Sequence, residues 1–480
     1  MNRLSNPASS GTPLLWLVAV GFFMQTLDAT IVNTALPAMA SSLGESPLRM
    51  QSVVVVYSLT MAMLIPASGW VADRFGTRRV FFSAILLFAL GSLFCAVSQN
   101  LSQLVASRVL QGLGGALLLP VGRLAVLRAF PREQFLRAIS FVAVPGLIGP
   151  LLGPTLGGWL VQYVSWHWIF LINLPVALVG CIATLRYMPE GRSMVMARFD
   201  LGGYGLLAFG MVAISLSLDG LSELGLRQAT VVLLLIFGLA SLAAYWLHAL
   251  RRPDPLFAPE LFSVASLRVG LLGNLFARIG SSCMPFLIPL LLQVSMGYSP
   301  SQAGMMLLPV ALAGMAAKPV VTRLVARIGY RRMLVGNTAM VGLIMTSFAL
   351  VSLDQPLWLR IVQLACFGAV NSMQFTAMNT VTLKDLEGGM ASSGNSLLSM
   401  VQMLAMGLGV AAAGAVLAGF GSYFGADATG GHTLPAFRAT FATMGLMTLA
   451  ASAIFWQLTP DPEGIPAKLV PVETDAVENV

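Results

Sequence analysis

The sequence predicts an all-α, polytopic membrane protein with fourteen transmembrane helices, and three observations support this prediction. The chain has 480 residues, is 57% hydrophobic and only 10% charged, and has a mean hydropathy of +0.83, whereas soluble domains carry about 25% charged residues. Its apolar residues gather in runs of about 20, which is the length that one helix needs to cross a bilayer. Basic residues concentrate in alternate connections between these runs, as expected for loops that stay in the cytoplasm.

Each apolar run is bounded by charged residues or by stretches rich in Gly, Pro and Ser. A helix satisfies its own backbone hydrogen bonds in lipid, so each run is predicted to be a helical span. The first run is too long and too polar at its centre for a signal peptide, so we expect an uncleaved span. The predicted spans are 14–37, 50–70, 80–98, 104–122, 138–161, 167–188, 201–218, 229–249, 268–293, 302–321, 332–352, 357–379, 392–418 and 437–458.

The charges between the spans predict the orientation of the chain. One set of alternate connections holds Arg74, Arg78, Arg79, Arg123, Arg128, Arg132, Arg137, Arg186, Arg192, Arg198, Arg251, Arg252, Arg268, Arg323, Arg327, Arg331 and Arg332. The opposite set holds only Arg49, Arg227, Arg360 and Arg438. Lys and Arg accumulate on the cytoplasmic side. An even number of spans therefore predicts that both termini are cytoplasmic, with residues 461–480 forming an acidic, disordered tail.

The composition also argues against several other classes of protein. The net charge of +8 lies in short loops, without the basic face that nucleic-acid binding requires. The four cysteines lie inside apolar runs, where thiols behave as small hydrophobic side chains, and the three histidines lie at or beyond span ends. We therefore expect no metal site, no cofactor and no nucleic-acid partner.

An internal repeat divides the chain into two halves. The segment 73–79 (DRFGTRR) resembles 326–332 (ARIGYRR), and each segment follows the second span of its half. More than half of the chain separates the two copies, so two spans must be inserted between the halves. The predicted domains are a six-helix bundle at 1–190, two inserted helices at 191–260, a second six-helix bundle at 261–460 and the tail at 461–480.

Five segments of the first half carry motifs. The first span contains 27–37 (LDATIVNTALP), and the loop after the second span is 69–79 (GWVADRFGTRR). The segment 166–170 (WHWIF) precedes Asn173 and Pro175. The fourth span carries Arg108, Gln111, Gly112, Gly114 and Gly115, and the fifth carries Gly146, Gly149, Pro150, Gly153, Pro154, Gly157 and Gly158.

Together these motifs resemble those of the fourteen-span drug:proton antiporters of the major facilitator superfamily, and the resemblance covers nearly the whole chain. It implies the major facilitator fold, export of small molecules, multidrug efflux, and a proton-motive force in place of a cofactor. It identifies the fifth-span residues as the antiporter motif and 69–79 as the signature loop. In one departure, Ala326 stands where the first copy of the loop has Asp73.

Asp28 is the strongest candidate for proton coupling. A carboxylate near the middle of a bilayer is costly and is by default a functional hypothesis, and every other Asp or Glu lies at a span end, in a loop or in the tail. A low dielectric favours the protonated form of a carboxyl group, so Asp28 could exchange protons. A purely structural polar contact is the alternative.

Arg108 is the predicted partner of Asp28. At ~1.5 Å of rise per residue, the two side chains differ in depth by roughly 3 Å, which an arginine easily spans. Protonation of Asp28 would release the pair, and displacement of the proton by a cationic substrate would give antiport. A static ion pair is the alternative.

Arg278 lies near the middle of the ninth span, and the second half has no acidic residue within its spans. The resemblance implies a central cavity lined by spans 1, 4, 9 and 12, which carry Asp28, Arg108, Asn274, Arg278, Gln363, Asn371 and Gln374. With Asp28 ionised this cavity would be net positive, which favours an anionic ligand. Alternatively, Arg278 is bonded to carbonyls or to amides such as Asn274 and Gln374.

The signature loop and the fifth span each have two interpretations. Gly69, Asp73, Arg74, Gly76, Arg78 and Arg79 are predicted to form a gate that bridges helix ends on one face; the alternative is a loop that only fixes topology. The Gly and Pro residues of the fifth span are consistent both with close helix packing and with a hinge.

Three functions remain open at this point. No Walker loop occurs, because none of the three lysines follows a glycine, and no hydrolase motif occurs either; we therefore expect a transporter and not an enzyme. Multidrug efflux is the first expectation, export of an organic anion or metal chelate of the citrate type is the second, and a non-transporting sensor is the third. The expected partners are a small-molecule substrate, protons and the lipid of a bacterial inner membrane, with the chain acting as a monomer.

Overall fold

The computed structural model describes residues 7–191, 199–222, 228–425 and 433–459. Within these residues the chain is all-helical without strands, so the predicted fold class is confirmed. The helices are α1 Pro7–Leu43, α2 Gln51–Phe75, α3 Thr77–Ala96, α4 Leu101–Ala129, α5 Arg132–Tyr163, α6 Trp168–Leu171, α7 Asn173–Tyr187, α8 Leu201–Ser222, α9 Gln228–Arg251, α10 Ala265–Ser281, α11 Met284–Leu290, α12 Pro300–Met305, α13 Leu308–Ser347, α14 Leu357–Leu383, α15 Gly388–Phe424 and α16 Thr433–Ala451. Arg192, Arg198, Arg227, His432 and the predicted tail at 461–480 lie outside the described residues.

Thirteen helical segments of the described chain are long and apolar enough to cross a membrane. The longest, Pro300–Leu350, has 51 residues, which as one helix would be about 75 Å long against the ~30 Å of a bilayer core. Gly329 interrupts it with non-helical angles, φ 77° and ψ 163°. The segment therefore comprises two spans, and the structure accounts for all fourteen predicted spans.

The internal repeat is visible in the backbone. Gly76, between α2 and α3, has φ 90° and ψ 143°, almost the conformation of Gly329. A side chain is strained in this region of φ and ψ, and glycine adopts it at little cost. The two copies of the loop thus reverse the chain in the same way.

Two predicted spans are not continuous helices. The sixth consists of α6 and α7, separated at Ile172, and the ninth consists of α10, α11 and a π-helical turn at Leu291–Ser295. The ninth breaks just before Pro285, because proline has no N–H to donate to the carbonyl one turn earlier. Hydropathy along the run does not show these breaks, and Pro285 is the sequence feature that marks the one in the ninth span.

The helices pack as two groups with a helix pair beside them. In the first group α1 packs on α5, α2 on α4, and α3 on α4 and α7; in the second, α13 packs on α14 and α16, and α10 on α14 and α15. The groups meet where α2 lies against α15 and where α5 lies against α12. The inserted α8 packs on α9, α15 and α2. The exact domain boundaries remain a prediction.

Asp200 connects the inserted helices α8 and α9 with the segment that follows α9. Its carboxylate accepts hydrogen bonds from the backbone N–H of Gly203 (3.0 Å) and of Leu256 (3.3 Å), and it lies 2.9 Å from Nε2 of His248. Burial raises the pKa of Asp200, but the hydrogen bonds from Gly203 and His248 outweigh burial and hold it below its usual value. Asp200 therefore stays ionised as the N-cap of α8.

Candidate functional site

The two residues predicted to form a pair inside the first bundle are in contact. Asp28 lies on α1 and Arg108 on α4, and their side chains are 0% and 1% exposed. Nη1 of Arg108 donates to Oδ2 of Asp28 at 2.7 Å. Proton transfer by this pair stays a prediction.

Arg108 has further partners besides the carboxylate. Its Nε donates to the Val53 carbonyl at 3.2 Å, and its Nη1 donates to Oε1 of Gln111 at 2.6 Å. The guanidinium lies over the ring of Tyr57 at 4.0 Å and near that of Phe170 at 5.9 Å. These contacts would retain Arg108 in place even when Asp28 is neutral.

Two carboxamides hold the other oxygen of Asp28. Gln111 on α4 donates to Oδ1 at 2.7 Å, and Asn173 at the start of α7 donates to it at 3.2 Å. Both amides also reach Oγ of Ser92 on α3, at 2.8 and 3.3 Å. Gln111 and Asn173 stand in motifs of the sequence, yet the sequence assigned them no partner, and Ser92 carried no signal at all.

The site can therefore switch between two charge states. With Asp28 ionised, its carboxylate accepts hydrogen bonds from Arg108, Gln111 and Asn173, which is the arrangement that a buried charge needs. With Asp28 protonated, the carboxyl group is neutral and the charge of the arginine is no longer balanced. One proton thus changes the net charge of a buried site.

The glycines of the fifth span pack against the part of α1 that carries Asp28. A Cβ atom added to Gly146, Gly149, Gly153 or Gly157 of α5 would overlap α1. The atoms that it would meet belong mainly to Phe22, Thr26, Thr30 and Thr34, which are spaced one turn apart. Four glycines of the predicted antiporter motif therefore allow α1 and α5 to pack closely, as small residues do between membrane helices.

Gly158, the last glycine of the motif, faces the other bundle. A Cβ atom there would overlap the carbonyl of Pro300, and one at Gly304 of α12 would overlap the carbonyl of Pro154. Three hydrogen bonds across the bundles lie at the same end: Thr155 to the Gly304 carbonyl (3.4 Å), Ser301 N to Gln162 (3.1 Å) and Gln293 to the Thr34 carbonyl (3.0 Å). The two bundles are thus in close contact and hydrogen-bonded at this end of the molecule.

Three charged residues of the signature loop, Asp73, Arg74 and Arg78, contact residues of the first bundle. Asp73 is paired with Arg128 at the end of α4. Arg78 donates to the Met188 carbonyl at 2.6 Å and to Glu190 at 3.0 Å. Arg74 lies 5.2 Å from the ring of Trp70, whereas Arg79 is exposed and Gly69 has open space around it. Arg128 was predicted only as a topological charge, and its role as the partner of Asp73 required the tertiary structure.

Arg278 of the second bundle lies on an aromatic ring. Its guanidinium is 4.6 Å from the centre of the Phe375 ring, and that ring is 41% exposed. Nε of Arg278 is buried with no hydrogen-bond partner among the described residues. The amides of Asn274 and Gln374, the alternative partners, donate elsewhere: to the Gly270 carbonyl at 2.9 Å and to Thr338 Oγ1 at 2.9 Å.

The four amides of the predicted cavity lining differ in exposure and partners, and their role in substrate binding stays a prediction. Asn274 and Gln374 are 0% and 1% exposed and pack within the second bundle. Gln363 donates to Ser347 at 2.8 Å, so it joins α14 to α13. Asn371 is partly exposed. Helix–helix hydrogen bonds in lipid take up such amides, which is why the polar stripe faces a neighbouring helix.

Lys318 was not predicted as a site residue, and helix register places it level with Phe375, the ring beneath Arg278. Gly368 of α14 lies against Val310, and Ser372 lies against Gly314, so α13 and α14 run in parallel here. One turn further along, Lys318 comes level with Phe375. Its position within the tenth span was the available signal, because lysine is rare inside spans.

Comparison with known proteins identifies relatives over most of the chain. A family described as the Major Facilitator Superfamily matches residues 18–410. A Serratia proteamaculans protein named multidrug resistance protein MdtD is 56% identical over 85% of both chains. A protein of the same name from Pectobacterium atrosepticum is 51% identical over 93% of this chain and 96% of its own.

Solved structures share the fold at low identity. A POT family transporter in complex with a thioalcohol-conjugated peptide has a TM-score of 0.68 at 16% identity, over 92% of this chain and 95% of its own. A bacterial homolog of the human lysosomal transporter Spinster, inward-facing and unoccupied, has a TM-score of 0.65 at 15% identity, over 93% of this chain and 96% of its own.

Proposed function

The chain belongs to the Major Facilitator Superfamily, and from that premise we propose that it is a proton-driven antiporter that exports small molecules, with multidrug efflux as its activity. Relatives named for multidrug resistance support this activity. We place the protein in a bacterial inner membrane with both termini in the cytoplasm, acting as a monomer. No cofactor takes part, since the proton gradient supplies the energy.

The observation that carries this proposal is the fully buried pair of Asp28 and Arg108. Leaving one member of such a pair without its partner costs about 3–5 kcal/mol. A membrane potential supplies about 2.3 kcal/mol per charge for each 100 mV. The two energies are of similar size, so a proton that enters down its gradient can open the pair and leave again once the conformation has changed.

The proposed cycle uses the two charge states of the site. Proton binding to Asp28 leaves the charge of Arg108 unbalanced, and the first bundle then changes its packing against the second. Release of the proton to the other side restores the pair. Substrate transport is coupled because a substrate that alters the charge near Asp28 competes with the proton.

The decisive experiment replaces Asp28 by asparagine. Asp28→Asn keeps the size and hydrogen-bonding capacity of the side chain but removes the exchangeable proton, so we expect folded protein that binds substrate and has lost uphill, proton-driven export. Transport in proteoliposomes under an imposed pH gradient, with binding measured on the same purified variant, checks this. Asp28→Glu serves as the control that partly restores coupling. Wild-type uphill transport by Asp28→Asn would overturn the mechanism.

The environment of Arg278 supports a second candidate, export of an organic anion or of its metal chelate. Arg278 and Lys318 bring two positive charges to one level of the second bundle, and no acidic residue lies within its spans. Such a site attracts anions. The exposed face of Phe375 adds a surface on which a planar ligand can stack.

A sensor that keeps the transporter fold without transport is distinguished by the same Asp28 variant. A sensor needs no proton exchange, so Asp28→Asn would leave its signalling unchanged. An exporter would lose substrate-dependent proton movement. Proton flux measured with a pH-sensitive dye inside the vesicles separates the two.

A further inference from the structure

We propose that Asn173 is a positioning residue that sets the proton affinity of Asp28 and links its charge state to the sixth span; this inference rests on the proposed function. Asn173 is 2% exposed and is the first residue of α7. Its Nδ2 lies 3.2 Å from Oδ1 of Asp28 and 3.3 Å from Oγ of Ser92. A carboxamide NH₂ has two hydrogens, and here each has an acceptor.

The local structure holds Asn173 in this place. The sixth span is interrupted at Ile172, so α6 and α7 meet at the level of Asp28. Phe170 on α6 lies 5.9 Å from the guanidinium of Arg108. The short segment from Phe170 to Asn173 therefore touches both members of the ion pair, one through an aromatic ring and one through an amide.

The polar side chains around Asp28 come from α2, α3, α4 and α7. The titratable and charged ones are Tyr57 of α2, Cys95 of α3 and Arg108 of α4. The α5 side presents Gly149 and Gly153, which carry no charge. Helix α11 packs against another part of α1. The titratable group next to α11 is the buried thiol of Cys283. Asn173 and Gln111 are therefore the uncharged donors that act on Oδ1.

A donor to a carboxylate favours its ionised form, so loss of Asn173 must favour protonated Asp28. A hydrogen bond to a charged group contributes about 1.5–3 kcal/mol, which corresponds to roughly one to two pH units. Gln111 still donates to Oδ1 in the variant, so we expect the lower end. The pH at which proton-driven export is half-maximal should rise by about one unit in Asn173→Ala.

Asn173→Asp makes the test sharper at constant size. It places a second carboxyl group beside Asp28, and two adjacent carboxylates cannot both ionise at neutral pH. The pH midpoint should then rise further than in Asn173→Ala. Asn33→Ala is the matched control, because Asn33 is also a buried asparagine and its Oδ1 has no hydrogen-bond partner; its midpoint should equal that of the wild type.

The measurements are the pH profile of uphill export in proteoliposomes and an infrared titration of the carboxylic-acid band in purified protein. The band of Asp28 is identified by its absence in Asp28→Asn. If Asn173→Ala does not fold, the isosteric Asn173→Asp carries the test alone. Wild-type midpoints in the folded Asn173 variants, together with loss of coupling in Asp28→Asn, would overturn this inference and leave the proposed function standing. Retained coupling in Asp28→Asn would overturn both.

Discussion

Asp28 and Arg108 differ from Arg278 and Lys318 in how their charge is balanced. The first two neutralise each other in a site with 0–1% exposure. Arg278 lies 4.6 Å from the centre of an aromatic ring and forms no ion pair among the described residues. An ion without a counter-charge inside a membrane protein is retained only where it has a use, so the second pair of residues is suited to contact a ligand and the first pair to exchange a proton.

The first prediction at this scale concerns substrate charge. Arg278→Gln, alone or with Lys318→Gln, removes positive charge from a region of low dielectric, so export of an anionic substrate should fall by roughly tenfold for each change. Export of lipophilic cations should stay the same or improve. Initial rates in proteoliposomes, for a carboxylate, its metal chelate and a lipophilic cation, provide the comparison.

Arg327→Gln is the control for this comparison, because Arg327 is exposed in the loop of the second repeat. It should leave both classes of substrate unaffected. Loss of cation export with retained anion export in Arg278→Gln would contradict the electrostatic argument.

At the scale of helices, α5 contacts two partners along its length, α1 within its own bundle and α12 of the other bundle. Its glycines from Gly146 to Gly157 allow contact with α1 beside Asp28, and Gly158 allows contact with α12. A movement of α1 after proton exchange would therefore be passed to the contact between the bundles. The packing and hinge interpretations of the motif are compatible, since packing defines the surfaces on which the helices can move.

The second prediction tests the contact between α5 and α12. Gly158→Val or Gly304→Val places a branched side chain where backbone atoms of the opposite helix already lie. Ordinary contacts need about 3.5–4 Å, so the helices must separate. We expect a longer distance between the bundles at this end and a loss of transport of at least about tenfold, as overpacking costs about 1–3 kcal/mol.

Spin labels at the exposed ends of α5 and α12, read by electron–electron double resonance, measure the distance. Gly419→Val is the matched control, because a Cβ atom there meets nothing within 4 Å, and its distance should be that of the wild type. An unchanged distance in both Gly158→Val and Gly304→Val would show that this contact does not close the molecule.

At the scale of the whole molecule, two homologous loops and one set of contacts define the arrangement. Gly76 and Gly329 reverse the chain with nearly the same angles, whereas the Asp73–Arg128 pair has no counterpart, because Ala326 carries no charge. Three hydrogen bonds between the bundles lie at the end that holds Gln162 and Ser301. In the proposed orientation that end faces the periplasm, so the orientation predicts a conformation closed to the periplasm.

The third prediction tests this orientation. Reporter tags at residue 1, within 190–198 and at residue 480 should signal cytoplasm, and a tag near residue 425 should signal periplasm, because basic loops stay on the cytoplasmic side. Alkaline phosphatase and fluorescent-protein fusions give opposite signals on the two sides. A cytoplasmic signal near residue 425 would contradict the fourteen-span arrangement.

Hydropathy by itself determined the spans, their number and the isolation of Asp28. The sequence repeat located the two chain reversals, and a depth estimate matched Asp28 with Arg108. These features depend on local composition or on position along a helix axis, both of which can be counted from the residues.

The tertiary structure alone decided which face of each span meets which neighbour. It brought Gln111, Asn173 and Ser92 to the carboxylate of Asp28, turned Gln374 toward Thr338 and set Lys318 level with Phe375. The physical reason is that lipid and the interior of a helix bundle are both apolar. The pattern of apolar residues along a span therefore does not show which face of the helix is buried against its neighbours. Side-chain partners then depend on helix rotation, which is fixed only when the helices have packed together.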